Sequence, residues 1–220
     1  MKTAAANYGS MKKWYHKNRI ANLLKELRRR GFQAEYHDDV DSLKKALLRK
    51  IPKKASIGIP GSVTIREIGI IEEFKKRGNK IFQHWREGLN EKIDQHARSL
   101  EGQADYYLTS SNAITIKGEL INIDGVGNRV AHMVFGPKNV FVVVGVNKIV
   151  DSIEQGLERA HQVAGVMNAR RVEARTPCVK TGVCSDCSTP GKICRVISII
   201  KYRPFQTKIT VMLINKELGF

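Results

Sequence analysis

No run of apolar residues in this 220-residue chain reaches the roughly 20 that a membrane-spanning helix needs. The opening Met1-Lys-Thr-Ala-Ala-Ala has no apolar core ahead of the charged Lys12–Lys13 pair, so no secretory signal is read there. A cytoplasmic protein without a membrane span is expected. Two phosphate-binding signatures are missing too. No G-x-G-x-x-G follows the first expected strand and no Walker P-loop occurs, which argues against a standard dinucleotide fold and a P-loop nucleotidase. Aromatic residues are only 7% of the chain and do not interleave with its basic runs, unlike the stacking platform of a single-strand nucleic-acid binder. There is no internal repeat and no low-complexity linker.

What is present fits a globular protein. Apolar residues make up 42% of the chain, close to the globular norm, and the length suits one domain over 1–220 with a sizeable core. The net charge of +17 invites two readings. A basic groove would read as nucleic-acid binding. However, the cations fall in separate clusters: 28–30, Lys44–Lys45, Lys53–Lys54, 75–77 and Arg170–Arg171. These positions are expected at or just beyond helix ends, where cations meet the negative end of the helix dipole. Solvated helix ends plus a small anion site account for the charge better than a continuous groove.

Helical spacing of Trp14, Ile20, Leu23, Leu24 and Leu27 predicts a helix over 10–30, stopped at Gly31. Alternation at Phe32, Ala34 and Tyr36 predicts a strand, and Asp41 is expected to cap a helix through Lys50. The run 55–59 reads as a buried parallel strand leading through a turn into a helix that reaches Arg77. A strand near 81–85, a helix from Asn90 to Leu100 and a strand at 105–109 come next. Ile114-Thr-Ile-Lys and Leu120-Ile-Asn-Ile flank Gly118-Glu119 as a hairpin. Val140-Phe-Val-Val-Val144 is the most strand-like run and should be central; Asp151 is expected to cap one long helix to about Asn168. Strands at 196–202 and 209–214, expected to pair antiparallel, close the chain. Alternating strands and helices imply an α/β fold with a largely parallel, Rossmann-like sheet.

Three stretches carry candidate chemistry. In the first, Gly61 lets a backbone approach closely while Ser62 and Thr64 supply hydroxyls at a helix start, the layout that holds an anion; an ordinary Ser-capped helix fits equally. In the second, Asp124-Gly-Val-Gly-Asn-Arg129, residues Gly125 and Gly127 make a turn. Asp124 can orient a hydroxyl, Asn128 both donates and accepts, and Arg129 can clamp a carboxylate or phosphate; alternatively Asp124 and Asn128 bond only to backbone. Ser110, Ser111 and Asn112, and then Gly145-Val-Asn147, lie where ligands of open α/β sheets sit. The third stretch holds every cysteine, Cys178, Cys184, Cys187 and Cys194, spaced C-x5-C-x2-C-x6-C with no histidine between them. Four thiolates suit a 4Fe-4S cluster or a tetrahedral zinc ion. Two disulfides would also use four cysteines, but nothing else points to an oxidising compartment.

Together, 61–69, 124–129 and Thr176-Pro-Cys through Cys194-Arg195 resemble the lactate-utilisation (LUD) domain family, specifically its short stand-alone members with a C-terminal cysteine loop. The resemblance runs from about Lys12 to Tyr202. It implies a fold related to ribose-phosphate isomerases and CoA transferases, with an extra antiparallel β segment and a cysteine loop over 176–195. It also implies that the turns at 61–64 and 124–128 border a ligand pocket, and that the protein takes part in lactate oxidation alongside iron–sulfur proteins. The ferredoxin-like extension of the larger subunit type is lacking, so at most one cluster is encoded.

Three functions are weighed. The first is an oxidoreductase component of organic-acid metabolism. It would hold one cluster and bind a small carboxylate or phosphate-bearing ligand between Gly61, Ser62 and Thr64 on one side and Asp124, Gly125, Gly127, Asn128 and Arg129 on the other. A redox protein partner and a homo-oligomer are compatible with it. The second is an isomerase or acyl-transferase-like enzyme with a structural zinc loop, for which Glu67, Asp124 and His132 are the acid–base candidates. The third, a nucleic-acid-binding module, fits the scattered charge worst.

Overall fold

A computed structural model describes residues 8–85 and 91–220. The first residues, read above for a signal, and Asn90, the expected start of a helix, lie outside the described residues.

The described elements begin with α1 (Tyr8–Arg29), β1 (Gln33–His37), α2 (Val40–Lys50), β2 (Ile57–Gly58), α3 (Val63–Glu67), α4 (Ile70–Lys76) and β3 (Ile81–Phe82). Next come α5 (Glu91–Gly102), β4 (Tyr106–Thr109), β5 (Ala113–Thr115), β6 (Leu120–Asp124), α6 (Asn128–Val134) and β7 (Asn139–Gly145). The remainder is β8 (Ile149–Val150), α7 (Ile153–Arg159), a π-helical turn (Ala160–Gly165), α8 (Val166–Arg171), α9 (Cys178–Thr181), β9 (Val196–Ile200) and β10 (Lys208–Ile214).

A six-stranded sheet runs in the order β1-β10-β7-β4-β2-β3, and all its pairings are parallel. The apolar run of β7 is central, as its lack of polar relief predicts. Its side chains alternate between two cores. Phe141 and Val143 join α2, α3 and α4 on one face. Val140, Val142 and Val144 join Leu23 and Leu27 of α1 and Met133 of α6 on the other. Ile114, Leu120 and Ile200 of a second sheet, β8-β5-β6-β9, seal that same face. The β5–β6 hairpin is antiparallel, with Ile114 opposite Leu120, and β6 pairs antiparallel with β9.

Several local expectations are corrected. β9 and β10 do not pair; β9 edges the small sheet, while β10 inserts between β1 and β7 of the large one. Six of β10's seven residues are buried, the signature of a strand covered on both faces. Trp14 is exposed, and the apolar stripe of α1 begins at Ile20. Asp39 rather than Asp41 caps α2, accepting from Ser42 N at 2.7 Å. Ser152 rather than Asp151 caps α7, while Asp151 pairs with Arg19 at 2.7 Å. The helix expected through Arg77 breaks at Gly69, whose φ of +67° belongs to the left-handed region. The long helix expected to Asn168 is interrupted by the π-helical turn, where one extra residue bulges the ladder. Among the described residues no helix is long and apolar enough to cross a membrane.

Candidate functional site

The carboxyl ends of β2, β3, β4 and β7 open into one cleft of about 260 Å³. This is where open parallel sheets bind ligands, because loops leaving adjacent strands diverge there. Gly61, Ser62 and Thr64 come from the turn after β2, His84 and Trp85 from the segment after β3, Ser110–Asn112 from the turn after β4, and Lys148 from the turn after β7. The far wall is Asp124, Gly125, Asn128 and Arg129, with Ala164, Gly165 and Arg171 of the π-helical turn and α8, and Cys194 of the cysteine loop. The turns at 61–64 and 124–129 therefore face each other across one cavity. Gly127 adjoins the wall without lining it.

The floor carries a residue the sequence reading missed. Lys148 is only 3% exposed, and its Nζ donates to Thr64 Oγ1 at 3.0 Å and Ser110 Oγ at 3.1 Å. Burial, with Arg159 and Arg129 nearby, pushes the amine down to about 7 from its ordinary 10.5. The one available signal was its place just past Asn147, at the end of the central strand.

A second missed group stands behind the cleft wall, against His84. Glu101 of α5 is fully buried. Its Oε1 accepts from the His84 backbone N–H at 2.7 Å and lies 2.7 Å from His84 Nδ1. Its Oε2 accepts from Asn128 Nδ2 at 3.3 Å, and Asn128 Oδ1 accepts from Arg98 Nη1 at 3.1 Å. The arrangement fixes the imidazole: with Nδ1 committed to the carboxylate, Nε2 is the ring nitrogen left for the cleft. One position beyond the end of the expected helix, Glu101 carried no sequence signal.

Arg129 is a strut. Its Nη1 donates to Asn122 Oδ1 at 2.7 Å, its Nη2 to Ile123 O at 2.6 Å and Asn112 Oδ1 at 3.0 Å, and Asp124 Oδ2 lies 3.6 Å from its Nε. Asp124 in turn accepts from Gly127 N and Val130 N, both at 3.3 Å, closing the first turn of α6. Both side chains thus spend their hydrogen bonds on building the wall. Gly61 is small for a packing reason: a Cβ there would come within 2.7 Å of Trp85 Nε1. Trp85 also packs the guanidinium carbons of Arg66 and Arg171 over its ring, at 4.0 and 3.9 Å from the centroid. Of this pair, Arg171 lines the cleft.

Two candidate acid–base residues sit elsewhere. Glu67 accepts from Gly219 N and does not line the cleft. His132 lies edge-on to Tyr107 with its Nε2 3.1 Å from Arg98 O, behind the wall rather than in it.

The four cysteines carry free thiols and line one small cavity together with His161, Asp186 and Lys192. Burial pushes the Cys194 thiol up, and the other three cysteines of the loop lie near enough to act on it electrostatically. Among the described residues no three His, Cys, Asp or Glu side chains group closely enough around a single point to hold one metal ion. Cys194 and Ile193 line both this cavity and the cleft. Gly165 makes that approach possible, since a Cβ there would stand 3.2 Å from Cys194 Sγ.

Comparison with known proteins agrees with this architecture. The LUD domain model matches residues 20–214. The fold is similar to the crystal structure of a DUF162 family protein from Deinococcus radiodurans, with a TM-score of 0.51 at 13% identity, covering 90% of this chain and 98% of that one. No curated protein matches the chain.

Proposed function

The chain belongs to the LUD domain family, of the lactate-utilisation type, and from that premise we propose that it works on a small anionic organic acid beside a single 4Fe-4S cluster. Cys178, Cys184, Cys187 and Cys194 would hold the cluster, and the cleft would hold the ligand. The observation that carries this reading is the shared wall. Cys194 lines both the cysteine cavity and the cleft, so a ligand and a metal centre would be neighbours. A structural zinc staple needs no such adjacency. When bound, a cluster with all four irons ligated supplies electron transfer rather than an open coordination site.

This chain's own residues do the rest. Arg98 and Arg171 bring positive charge to the cleft and Lys148 lies at its floor, while His84, oriented by Glu101, presents a nitrogen that can accept a proton from a ligand hydroxyl. The wall built by Asp124 and Arg129 holds these groups in register.

Metal and acid-labile sulfide analysis of anaerobically purified protein tests the cluster. Iron and sulfide in equal amounts, with a brown visible absorption, are expected. A colourless protein holding one equivalent of zinc would replace this reading with the staple.

A further inference from the structure

Among the described residues, the buried charges other than Lys148 are matched. Arg30 Nη2 meets Glu119 Oε1 at 2.6 Å, Arg129 lies against Asp124, and His84 against Glu101. Where Arg159 lacks a carboxylate, its guanidinium donates to the carbonyls of Asn147 and Asn112. Lys148 breaks the pattern. Its hydrogen bonds go to two hydroxyls, and no ion pair among the described residues includes it. A hydroxyl can donate as readily as accept, so Thr64 and Ser110 serve a neutral amine and an ammonium alike. An unpaired buried ammonium costs several kcal/mol. A side chain left in that position lacks a counter-ion, and the cleft is the open side from which one can come.

We propose that Lys148 is the receptor for the ligand's carboxylate, and that the complex forms with uptake of one proton by this amine. The inference rests on the cleft reading above and names the group that does the binding. The charged groups acting on Lys148 are Arg159 of α7, Arg129 of α6 and Glu67 of α3, and the C-terminal Gly219–Phe220 segment packs beside it, a Cβ at Gly219 standing 3.2 Å from its Nζ. Burial, helped by the two arginines, which outweigh the single glutamate, holds the amine down to about 7. An arriving anion reverses the balance: it stabilises the ammonium, which then holds its proton well above neutrality. A carboxylate suits the floor better than a phosphate does. The floor offers one amine and two hydroxyls; Arg129 beside it is committed to the wall, Arg98 to Asp94, and Arg171 stacks on Trp85.

Isothermal titration of the holoprotein with L-lactate, with its unreactive analogue oxamate and with inorganic phosphate tests this. Each titration is run in two buffers of different ionisation heat. The carboxylates should bind with proton uptake that approaches one above pH ~7, and affinity should fall about tenfold per pH unit there. Lys148→Met should lose at least tenfold in affinity and all of the uptake. Lys148→Arg, which keeps its charge at any working pH, should bind without uptake and without the pH slope. Oxamate binding that is unchanged in Lys148→Met, or that takes up no proton in the wild type, would overturn the assignment while leaving the cleft reading intact. Phosphate binding tighter than lactate with the same uptake would overturn the carboxylate class. Binding of none of the three would take the cleft reading down together with the assignment.

Discussion

Replacing Lys148 by methionine should make the ligand-free protein more stable at neutral pH, although it removes a polar residue with two hydrogen bonds. In the folded chain the amine titrates at about 7, against 10.5 for an ordinary lysine. The unfolded chain therefore binds the extra proton throughout the window between these values, and wild-type stability rises with pH across it. Below the window both states are charged and the whole penalty is felt: 3.5 pH units at about 1.4 kcal/mol each, or about 5 kcal/mol. At pH 7 the folded amine is half neutral and about 4 kcal/mol remains; at pH 9 about 2 kcal/mol does. Losing the bonds to Thr64 and Ser110 takes back about 1 kcal/mol apiece. Methionine matches the stem and carries no charge to desolvate. The net gain at pH 7 is about 2 kcal/mol, or roughly 4–8 °C in Tm for a chain of this length. Thermal melts of both proteins at several pH values between about 6.5 and 10 would measure it. The advantage should shrink as pH rises and vanish before the upper limit. A variant less stable than wild type at pH 7, or a difference that ignores pH, would refute the claim that this lysine is buried without a counter-ion.

Two further substitutions probe the frame around the site. Glu119→Ala strands Arg30, which also donates to Lys117 O and Lys201 O and packs over Tyr202. Removing one partner of a buried pair costs about 3–5 kcal/mol, so the urea midpoint should fall with an unchanged slope; a shift under about 1 kcal/mol would mean that the pair is hydrated. Gly165→Val drives a branched side chain at Cys194 Sγ and at Ala160 O, only 3.1 Å from the first added carbon. The purified variant should hold markedly less iron per chain while its far-ultraviolet dichroism stays native, and full iron loading would show that Cys194 does not need its present seat.

Much of the architecture was legible. The run from Val140 to Val144 had no polar face to give to water, so it could only be central. The hairpin at Gly118 and the buried stripe of Ile20, Leu23 and Leu27 followed from their periods. Period alone could not say which sheet a strand joins. Residues 209–214 looked like the second arm of a terminal hairpin, yet the partners that bury them are β1 and β7, from distant parts of the chain. Caps missed by one or two residues for a similar reason. Asp39 and Asp41 both suit a helix start, and only the backbone's entry path selected Asp39.

The site divided in the same way. Residues whose chemistry is concentrated in a short stretch could be read directly: the four cysteines, the 61–64 turn and the 124–129 turn all declare themselves by local spacing, and folding brings the two turns to one cleft with Cys194 in its wall. Residues whose meaning lies in their surroundings could not. Lys148 is one of many lysines, Glu101 ends an ordinary amphipathic helix, and His84 sits in an unremarkable strand end. A lysine becomes a receptor only when its burial removes water and its neighbours withhold a carboxylate, and an arginine such as Arg129 becomes a strut only when carbonyl and amide oxygens from two segments close on it. Hydrophobic period and ligand spacing are properties of adjacent residues, so the chain alone determined the α/β class and the cysteine loop. Desolvation and pairing are sums over groups far apart in sequence, so the tertiary structure alone decided which charges face the cleft unpaired.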